Sequence, residues 1–526
     1  MNTRLSGKSE RAQPASPPSA QADVAAVLCE HPAVCDAVAC RRSKPGDEGM
    51  VAFVLANESY LDDVMGRKDA ASSQVRRWRK TYDLTQLAKT ASASPLAFNI
   101  AGWNSSYTRQ PLAPEDMQEW VQTTVDRIST LAPSEVLEIG CGTGLLLLRL
   151  APACKRYVAV DFAPAVLMRL REQLAQTGDL REKVELLERS ADNFEGLVEN
   201  SFSTVIVNSV AQHFPSQAYL NRVIENAIRV VRPGGHVFIG DQRNLLLLEA
   251  YAASVEAFQA TPEVSVQELR NRIDRRIQQE QQLVLSPSYF LLLKQRFPEI
   301  SRIEIHPRRG TRDNEMTRFR FDAILWVKTE SPPPAGIPFF DPPGEGWSLN
   351  DMRSRLAEQK SDAVGFARIR NPRVDGDLRL LVRLASADPQ QLLAAMREEL
   401  ARSEARGIHP EEIVRLAAET GYNVAISWTA CYPDGSYDAA FIRQDSPKSS
   451  AFPSVNWPQP TSAAFVYCTN APGQAEIRQR LVDELLSHCR TRLQGKPVPA
   501  SLRLVDALPR GADGRVDCQA LLSATR

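Results

Sequence analysis

The sequence lacks the features that mark several large classes of protein. Apolar runs of about 18 residues or more are absent, since Arg149 interrupts the leucines at 145–148, so no membrane span is expected. There is no CxxC pair, and the 6 histidines show no metal-ligand spacing, so we infer no metal site. Lys+Arg and Asp+Glu are both 63, and this balance gives no global attraction to nucleic acid or to an anionic membrane.

Cysteine usage and the amino terminus both argue against secretion. The 9 cysteines are an odd number scattered along the chain, so we expect free thiols in a reducing cytoplasm. The first residues have no apolar segment of the kind a secretory signal needs, and residues 1–23 are predicted to be a disordered tail. The length of 526 residues exceeds what one core supports, so several domains are expected.

The middle of the chain alternates short apolar runs with helical segments. Five runs read as strands: 135–140, 156–161, 183–188, 203–209 and 236–241. Amphipathic segments separate them, a long helical section covers 243–297, and a last strand is predicted over 318–327. This alternation predicts an α/β fold with a doubly wound, mostly parallel sheet over residues 78–330. A Pro- and Gly-rich segment then precedes two smaller pieces, an α+β piece at 346–445 and a last piece at 460–526.

The first of these strands runs directly into a glycine loop, LEIGCGTG. Glycines let the backbone turn tightly and approach a ligand at the carboxyl edge of the sheet. A dinucleotide fingerprint would place a third glycine where Leu145 or Leu147 stands, and a phosphate loop would need a lysine that is absent. The pattern that is present is Glu138-x-Gly140-x-Gly142-x-Gly144.

This pattern resembles the first motif of class I S-adenosylmethionine-dependent methyltransferases. The resemblance implies S-adenosyl-L-methionine as cofactor, bound by the loop residues Glu138, Gly140, Gly142 and Gly144. Companion polar residues follow the next strands in the expected order. Asp161 would accept hydrogen bonds from the ribose hydroxyls, Asp192 would accept one from the adenine amino group, and Asn208 and Ser209 would face the same crevice.

Further stretches resemble the methyltransferase domains embedded in nonribosomal peptide synthetases. They are LAFNIAGWNSSYTRQPLAPEDMQEW, NSVAQHFPS, GDQRNLLLLEAY, SPSYFLLLKQRFPEISRIEI and RGTRDNEMTRFRFDAIL. Such domains usually N-methylate an aminoacyl thioester on a carrier protein, and they are inserted in the small C-terminal subdomain of an adenylation domain. The flanks agree, since residues 24–57 resemble the first part of that subdomain and residues within 460–526 resemble its second part. The region 407–441 also resembles a segment that follows such methyltransferases.

The sequence departs from that family in three respects. The large nucleotide-binding part of an adenylation domain is not in the sequence, and no carrier attachment serine lies in a recognisable context. Arg515 stands where adenylation enzymes place their catalytic lysine. We therefore expect a free-standing methyltransferase with a vestigial split subdomain that does not itself activate amino acids.

Three residues are candidates for a catalytic role. His213 could act as a general base or pack as the aromatic residue of its relatives does, and Gln212 could orient the acceptor. Glu249 could attract a cationic amine or lie at the surface, and Ala252 stands where relatives often have a histidine. Phe98, Trp103 and Tyr107 could line the cofactor pocket or pack in the core. Asn314, Glu315 and Arg318 could contact the substrate.

The sequence therefore predicts a methyltransferase of nonribosomal peptide or related natural-product synthesis. The predicted acceptor is the amine of an aminoacyl or peptidyl group on a carrier protein or synthetase module. Two alternatives stay open: O- or C-methylation of a free small metabolite, and a non-catalytic docking or scaffold role in a synthetase. The sequence does not indicate an oligomeric state.

Overall fold

The architecture is described from a computed structural model of the chain. It describes residues 20–41, 49–57, 60, 98–100, 102–329, 336–358, 362–402, 406–444, 455–470, 472, 474–505, 507–510 and 516–523. The helices are α1 (Ala20–Cys29), α2 (Pro114–Ser129), α3 (Leu147–Leu150), α4 (Pro164–Ala175), α5 (Gly178–Lys183), α6 (Gln217–Val230), α7 (Leu248–Gln259), α8 (Val266–Gln278), α9 (Pro287–Arg296), α10 (Glu315–Phe319), α11 (Leu349–Glu358), α12 (Pro372–Ser386), α13 (Leu393–Ala401), α14 (Pro410–Thr420), α15 (Gln474–Arg492) and α16 (Cys518–Ser523). The strands are β1 (Val34–Arg41), β2 (Met50–Ala56), β3 (Glu135–Ile139), β4 (Arg156–Asp161), β5 (Val184–Glu188), β6 (Phe202–Asn208), β7 (Val231–Arg243), β8 (Ile300–Pro307), β9 (Arg320–Val327), β10 (Phe339–Phe340), β11 (Ala363–Ile369), β12 (Tyr422–Ser427), β13 (Tyr437–Arg443) and β14 (Ser501–Val505).

A seven-stranded sheet forms the centre of the larger unit, with strand order β5-β4-β3-β6-β7-β9-β8. The first five strands are parallel, and β9 pairs antiparallel with both β7 and β8. The doubly wound, mostly parallel sheet predicted from the sequence is therefore confirmed. Strand β8 was not predicted from the sequence. It is a partly buried edge strand, and its mixed polar and apolar residues do not form a continuous apolar run.

Both faces of this sheet are covered, which explains why its inner strands are continuously apolar. Every residue of β6 is buried. One face packs with α6 and the other with α4, and neighbouring residues of β3 belong to opposite cores: Leu137 to the first and Val136 to the second. Helix α6 begins where the hydroxyl of Ser216 accepts a hydrogen bond from the backbone N–H of Tyr219 at 3.2 Å.

The piece predicted at 346–445 is α+β, and it shares a core with the methyltransferase-like region. Its four-stranded sheet has the order β10-β11-β13-β12 and includes Phe339 and Phe340, outside the predicted boundary. Phe366 and Phe441 of this sheet lie in the same apolar cluster as Leu137 of the large sheet. The sequence predicted a separate piece because a Pro-rich segment usually marks a domain boundary. Local sequence patterns do not show that the residues on its two sides share one core.

A second, smaller unit is built from both ends of the chain, Met1–Ala70 and Gly473–Arg526. Strand β1 pairs antiparallel with β2, and β14 pairs in parallel with the other edge of β2. The predicted boundary at 460 is displaced, because residues 464–470 bond to the larger unit: the N–H of Ser286 donates to the carbonyl of Cys468 at 2.8 Å. The predicted tail is also too long, since α1 already begins at Ala20, whereas residues 1–19 lie outside the described residues.

The expectation that all cysteines are free thiols is wrong for one pair. Cys40 on β1 and Cys518 on α16 form a disulfide with a Cα–Cα distance of 5.7 Å. The two cysteines are 478 residues apart in sequence, so only the pairing of the chain ends brings them together. Within the described parts of the chain, no helix has both the length and the apolarity needed to cross a membrane.

Candidate active site at the carboxyl edge of the large sheet

The glycine loop turns directly after β3, and its three alternating glycines all adopt left-handed backbone conformations. The φ angles of Gly140, Gly142 and Gly144 are 73°, 49° and 79°. A Cβ at Gly140 would lie 2.4 Å from Cγ2 of Val210, and one at Gly144 would lie 2.5 Å from Cδ2 of Leu170. Glycine is therefore required at both positions, because the backbone is left-handed and the neighbouring side chains leave no room for a Cβ.

Asp161 ends β4 and lies against this loop. Its Oδ2 accepts a hydrogen bond from the N–H of Gly142 at 2.9 Å, and its Oδ1 accepts one from the N–H of Ala163 at 2.9 Å. The side chain is buried. The structure thus brings Asp161 and the glycine loop together, as predicted from their positions on neighbouring strands.

Glu138 is a buried residue of β3, two positions before Gly140. Its Oε2 accepts a hydrogen bond from the hydroxyl of Tyr157 at 2.9 Å. Burial, reinforced by the nearby charge of Asp161, raises the pKa of Glu138 to about 8, although the Tyr157 hydroxyl opposes that shift. The carboxyl group is therefore protonated at neutral pH.

Asp192 follows β5 on a short turn, with its carboxylate turned toward α6. Its Oδ1 accepts hydrogen bonds from the hydroxyls of Tyr219 at 2.8 Å and Ser190 at 2.9 Å. Asp192 also lines a cavity of about 500 Å³ together with residues 193–197, Asn226 and Arg229, and the glycine loop contributes nothing to this lining. The contact with Tyr219 constrains the Asp192 carboxylate, and it could not be predicted from the sequence.

Polar side chains gather where β6 and β7 end. Ser209 has a φ of 58°, and its N–H donates to the carbonyl of Gly240 at 3.1 Å. The Nε2 of Gln212 donates to Oγ of Ser209 at 3.0 Å. Gly240 leaves room for Asn208, because a Cβ there would lie 2.2 Å from Oδ1 of Asn208. Three of the predicted residues are therefore brought together.

A buried ionic network, missed in the sequence analysis, supports this edge of the sheet. Asp241 is fully buried with a φ of 62°, and it accepts hydrogen bonds from Nε1 of Trp120 at 3.0 Å and from Nη1 of Arg320 at 2.7 Å. Its N–H donates to Oδ1 of Asp322 at 2.8 Å, and Arg308 contacts that same oxygen at 3.0 Å. In the sequence, the one indication of this network was the acidic residue Asp241 at the end of a predicted strand.

The catalytic candidates have different environments. Burial lowers the pKa of His213 to about 4, and the positive charge of Arg320 acts in the same direction while Asp241 opposes it. The imidazole is therefore neutral at physiological pH. Glu249 is exposed in the first turn of α7, so the structure does not enclose it with Gln212 and His213. Ala252 is fully buried in an apolar cluster.

The aromatic candidates pack residues 98–100 and 102–112 against the rest of the larger unit. The ring centroids of Trp103 and Trp120 are 4.7 Å apart. The hydroxyl of Tyr107 donates to Oγ of Ser254 at 3.1 Å and lies 3.3 Å from Nη1 of Arg318, and burial raises the pKa of Tyr107 to about 12. Phe98 packs in the same apolar cluster as Trp103. Next to Phe98, the carbonyl of Asn99 accepts a hydrogen bond from Thr143 of the glycine loop at 2.8 Å.

The polar run before β9 is also held by its own contacts. Asn314 caps α10 through a capping box with Thr317. Glu315 is buried and accepts a hydrogen bond from the N–H of Ser106 at 3.0 Å, while Arg318 pairs with Asp377. These contacts account for the three residues as parts of the scaffold around segment 98–112.

Comparison with known proteins agrees with this geometry. Residues 137–237, which run from β3 into β7, match the family described as "Methyltransferase domain". The chain contains a class I methyltransferase domain. S-adenosyl-L-methionine is its cofactor, as the glycine pattern predicted. The three glycines with positive φ and the adjoining Asp161 fit that cofactor, because they offer a side-chain-free cradle beside a hydrogen-bond acceptor.

The methyltransferase-containing chain also matches much longer proteins. Chondramide synthase from Chondromyces crocatus is 34% identical over 513 residues, which are 95% of this chain and 13% of the synthase. A probable non-canonical nonribosomal peptide synthetase, CymA, from Salinispora arenicola is 30% identical over 501 residues, 95% of this chain and 6% of that protein. The chain thus spans a small fraction of the relatives' length, and its resemblance to proteins of nonribosomal peptide synthesis is confirmed.

Among solved structures, the chain is similar to N-methyltransferase NodS from Bradyrhizobium japonicum in complex with S-adenosyl-l-homocysteine. It is 17% identical, covers 47% of this chain and 98% of its own, and has a TM-score of 0.30.

Proposed function

We propose that the chain methylates the α-amine of an aminoacyl or peptidyl group that a carrier protein of a peptide synthetase presents. The support is that the similarity to named synthetases extends over 95% of the chain, well beyond the methyltransferase domain. A methyltransferase for unrelated small metabolites would share the domain at 137–237 without needing the flanking regions.

The cofactor is proposed to bind beside the glycine loop and Asp161. The direct contact between Asp161 and the loop is the observation that carries the assignment of this edge as the active site. When bound, S-adenosyl-L-methionine supplies a methyl group on a positively charged sulfur. Asp161 would accept hydrogen bonds from the ribose hydroxyls, since its carboxylate is held rigidly against the loop. Asp192 would accept one from the adenine amino group, and Asn208 and Ser209 would line the same crevice. Glu138 would act indirectly, by supporting the loop.

The protein's main contribution to the reaction is then positioning. In-line methyl transfer needs its two reactants held in register, which can supply several kcal/mol of the barrier reduction, on the order of 7 or more in well-oriented systems. Gln212 is proposed to orient the acceptor from its place beside Ser209. Glu249 is not proposed as a catalytic residue, because its exposed position leaves it screened by water.

The smaller unit is proposed to be a counterpart of the C-terminal subdomain of adenylation domains, split by the methyltransferase. Its strand β14 pairs with β2 in parallel although the whole larger unit separates them in sequence. Insertion of one domain into another is tolerated when the ends of the insert are close together. Arg515, which occupies the position of the catalytic lysine, lies outside the described residues.

The cofactor site is tested by isothermal titration of the full chain with S-adenosyl-L-methionine. Asp161→Asn keeps the shape of the side chain, and we expect it to weaken binding by about 10- to 100-fold, the loss of a hydrogen bond to a charged group. The matched control is Asp179→Asn, an exposed residue of α5, which should bind as the wild type does. Equal affinities for all three proteins would show that Asp161 does not hold the ribose.

The acceptor is tested by mass spectrometry of an aminoacyl carrier protein after incubation with the full chain and the cofactor. The expected product carries one added methyl group on the α-nitrogen. A methyl group on oxygen or carbon, or equal rates with free small metabolites, would contradict the proposed acceptor. A chain that binds the cofactor in no assay but captures a synthetase would favour a scaffold role instead.

A further inference from the structure

Three amide side chains converge on the Ser209–Gly240 pair at the ends of β6 and β7. Gln212 bonds through its Nε2 to Oγ of Ser209 at 3.0 Å, and Gln242 bonds through its Nε2 to the carbonyl of Gly240 at 2.6 Å. Asn208 lies against Gly240 on the neighbouring strand. All three side chains are more than nine-tenths buried, at 4%, 0% and 7% exposure for Gln212, Gln242 and Asn208.

The amide oxygens of these three residues have no hydrogen-bond partner among the residues that the structure describes. For Gln242 the orientation of the amide is dictated by its contact, because exchanging its oxygen and nitrogen would set two carbonyl oxygens against each other. A buried acceptor without a donor costs on the order of 1–3 kcal/mol. Three such acceptors at the ligand-binding edge of a doubly wound sheet indicate a ligand that brings N–H or O–H donors.

The charged and titratable groups around this cluster are already engaged. Asp241 is paired with Arg320 and bonded to Trp120, and Asp322 is paired with Arg308 and Arg127. Arg243, which follows Gln242, is paired with Glu280 and lies over the ring of Tyr251. His213 faces Arg320 and Asp241, and its pKa is lowered to about 4 by burial first of all. The carboxylates are thus occupied by their partners, and the lowered pKa of His213 makes its imidazole a weak base near neutral pH.

We propose that the amide oxygens of Asn208, Gln212 and Gln242 bind the N–H groups of an acceptor amine that enters the site already neutral. This inference rests on the proposed function and adds the residues that bind the acceptor and the protonation state in which it binds. The site would select α-amines that lie beside a thioester, ester or amide carbonyl. Electron withdrawal by that carbonyl keeps the amine pKa near 8, so about half of the amine is neutral at pH 8 without an enzymic base.

The transfer step balances without a base. The lone pair of the amine forms the new N–C bond while the C–S bond of the methyl donor breaks and its electron pair stays on sulfur. The nitrogen keeps its protons through this step and gains a positive charge, and the N-methylammonium product then loses one proton to water. Neutral oxygens that accept N–H bonds bind this charged nitrogen more tightly than the neutral amine, so they favour the transition state over the ground state.

The pH dependence of kcat/KM separates this arrangement from general-base catalysis. The full chain is assayed with pantetheine thioesters of alanine and of 3-fluoroalanine, whose fluorine lowers the pKa of the amine. We expect the apparent pKa of kcat/KM to be lower with the 3-fluoroalanine thioester than with the alanine thioester. The difference should equal the difference between the pKa values of the two free amines. His213→Asn should leave both apparent pKa values unchanged. An apparent pKa that is the same for both acceptors, or that is lost in His213→Asn, overturns the inference.

The amide groups are tested by Gln212→Met and Gln242→Met, which keep side-chain length and remove the acceptor oxygen together with the Nε2 donor to Ser209 or Gly240. Each should lower kcat/KM by about 10- to 100-fold, the value of one hydrogen bond to a charged group, and leave the affinity for S-adenosyl-L-methionine within about twofold. Gln267→Met, at an exposed site on α8, is the matched control and should match the wild type in both measurements.

The outcomes also separate the inference from the function on which it rests. Unchanged kcat/KM in both glutamine variants overturns the inference alone, as does loss of cofactor affinity in step with activity. If the wild-type chain binds the cofactor but methylates neither thioester on nitrogen, the proposed function and the inference both fall.

Discussion

Replacing Gly140 by alanine tests whether the glycine loop needs both a left-handed backbone and an empty side-chain position. Gly140 has a φ of 73°, and its new Cβ would lie 2.4 Å from Cγ2 and 3.1 Å from Cγ1 of Val210. Left-handed backbone costs a residue with a Cβ about 1–2 kcal/mol. Carbon atoms in contact are about 3.5–4.0 Å apart, so Val210 must also move by about 1 Å or more, and overpacking of this kind costs about 1–3 kcal/mol.

The total expected for Gly140→Ala is therefore about 2–5 kcal/mol in the free energy of unfolding. The matched control is Gly421→Ala at the end of α14, where φ is 76° and a Cβ would meet nothing within 4 Å. The control should lose only the backbone contribution, about 1–2 kcal/mol. The difference between the two variants then measures the steric contribution at Val210.

The assay is urea denaturation followed by tryptophan fluorescence. All 7 tryptophans fall within Ala71–Pro472, so the signal reports the larger unit alone. Binding of S-adenosyl-L-homocysteine is measured by titration of the same proteins. Gly140→Ala should bind it at least about 10-fold more weakly, because displacement of the loop backbone that costs about 1.4 kcal/mol of binding free energy already lowers the affinity tenfold. Equal losses of stability in Gly140→Ala and Gly421→Ala, with unchanged binding, would refute the reasoning.

Two further predictions concern buried titratable groups and the cysteines. Because the pKa of Glu138 rises from 4.5 to about 8 on folding, the folded state holds a proton that the unfolded state releases, so stability should fall as pH rises from about 5 to 8. Glu138→Gln should flatten this part of the curve of unfolding free energy against pH, and a parallel curve would contradict the assignment. Thiol titration in denaturant without reductant should give 7 free cysteines, rising to 9 after reduction; 9 before reduction would exclude the Cys40–Cys518 disulfide.

Much of the large sheet could be predicted because its signals are local. Strands β3, β4 and β6 are short apolar runs between helices, and parallel strands covered on both faces have that composition. Strand β8 escaped because an edge strand carries polar residues such as Arg302 and Glu304 in its partly buried pattern. The burial pattern of an edge strand depends on the elements that cover it. A short stretch of sequence does not show which elements those are.

Part of the candidate site could be predicted, because residues that follow neighbouring parallel strands lie together at the carboxyl edge of the sheet. Gly140 and Asp161 follow neighbouring parallel strands, so their proximity follows from the topology alone. The partners of Asp192 and the network of Asp241 were not predictable in this way. Tyr219 and Trp120 reach those carboxylates from helices whose rotation on the sheet is set by packing, and no sequence spacing reports that rotation.

The amino-acid sequence by itself determined the fold class, the cofactor and the kind of biosynthetic protein that the chain resembles, because glycine spacing and strand–helix alternation are properties of consecutive residues. Tertiary structure alone decided which candidates share an environment. It placed Glu249 at the surface, Glu138 in contact with Tyr157 and Gln242 in contact with the carbonyl of Gly240, and it joined the two ends of the chain through β2 and β14. These outcomes depend on contacts between residues far apart in sequence, and such contacts form only when the sheet and its helices pack together.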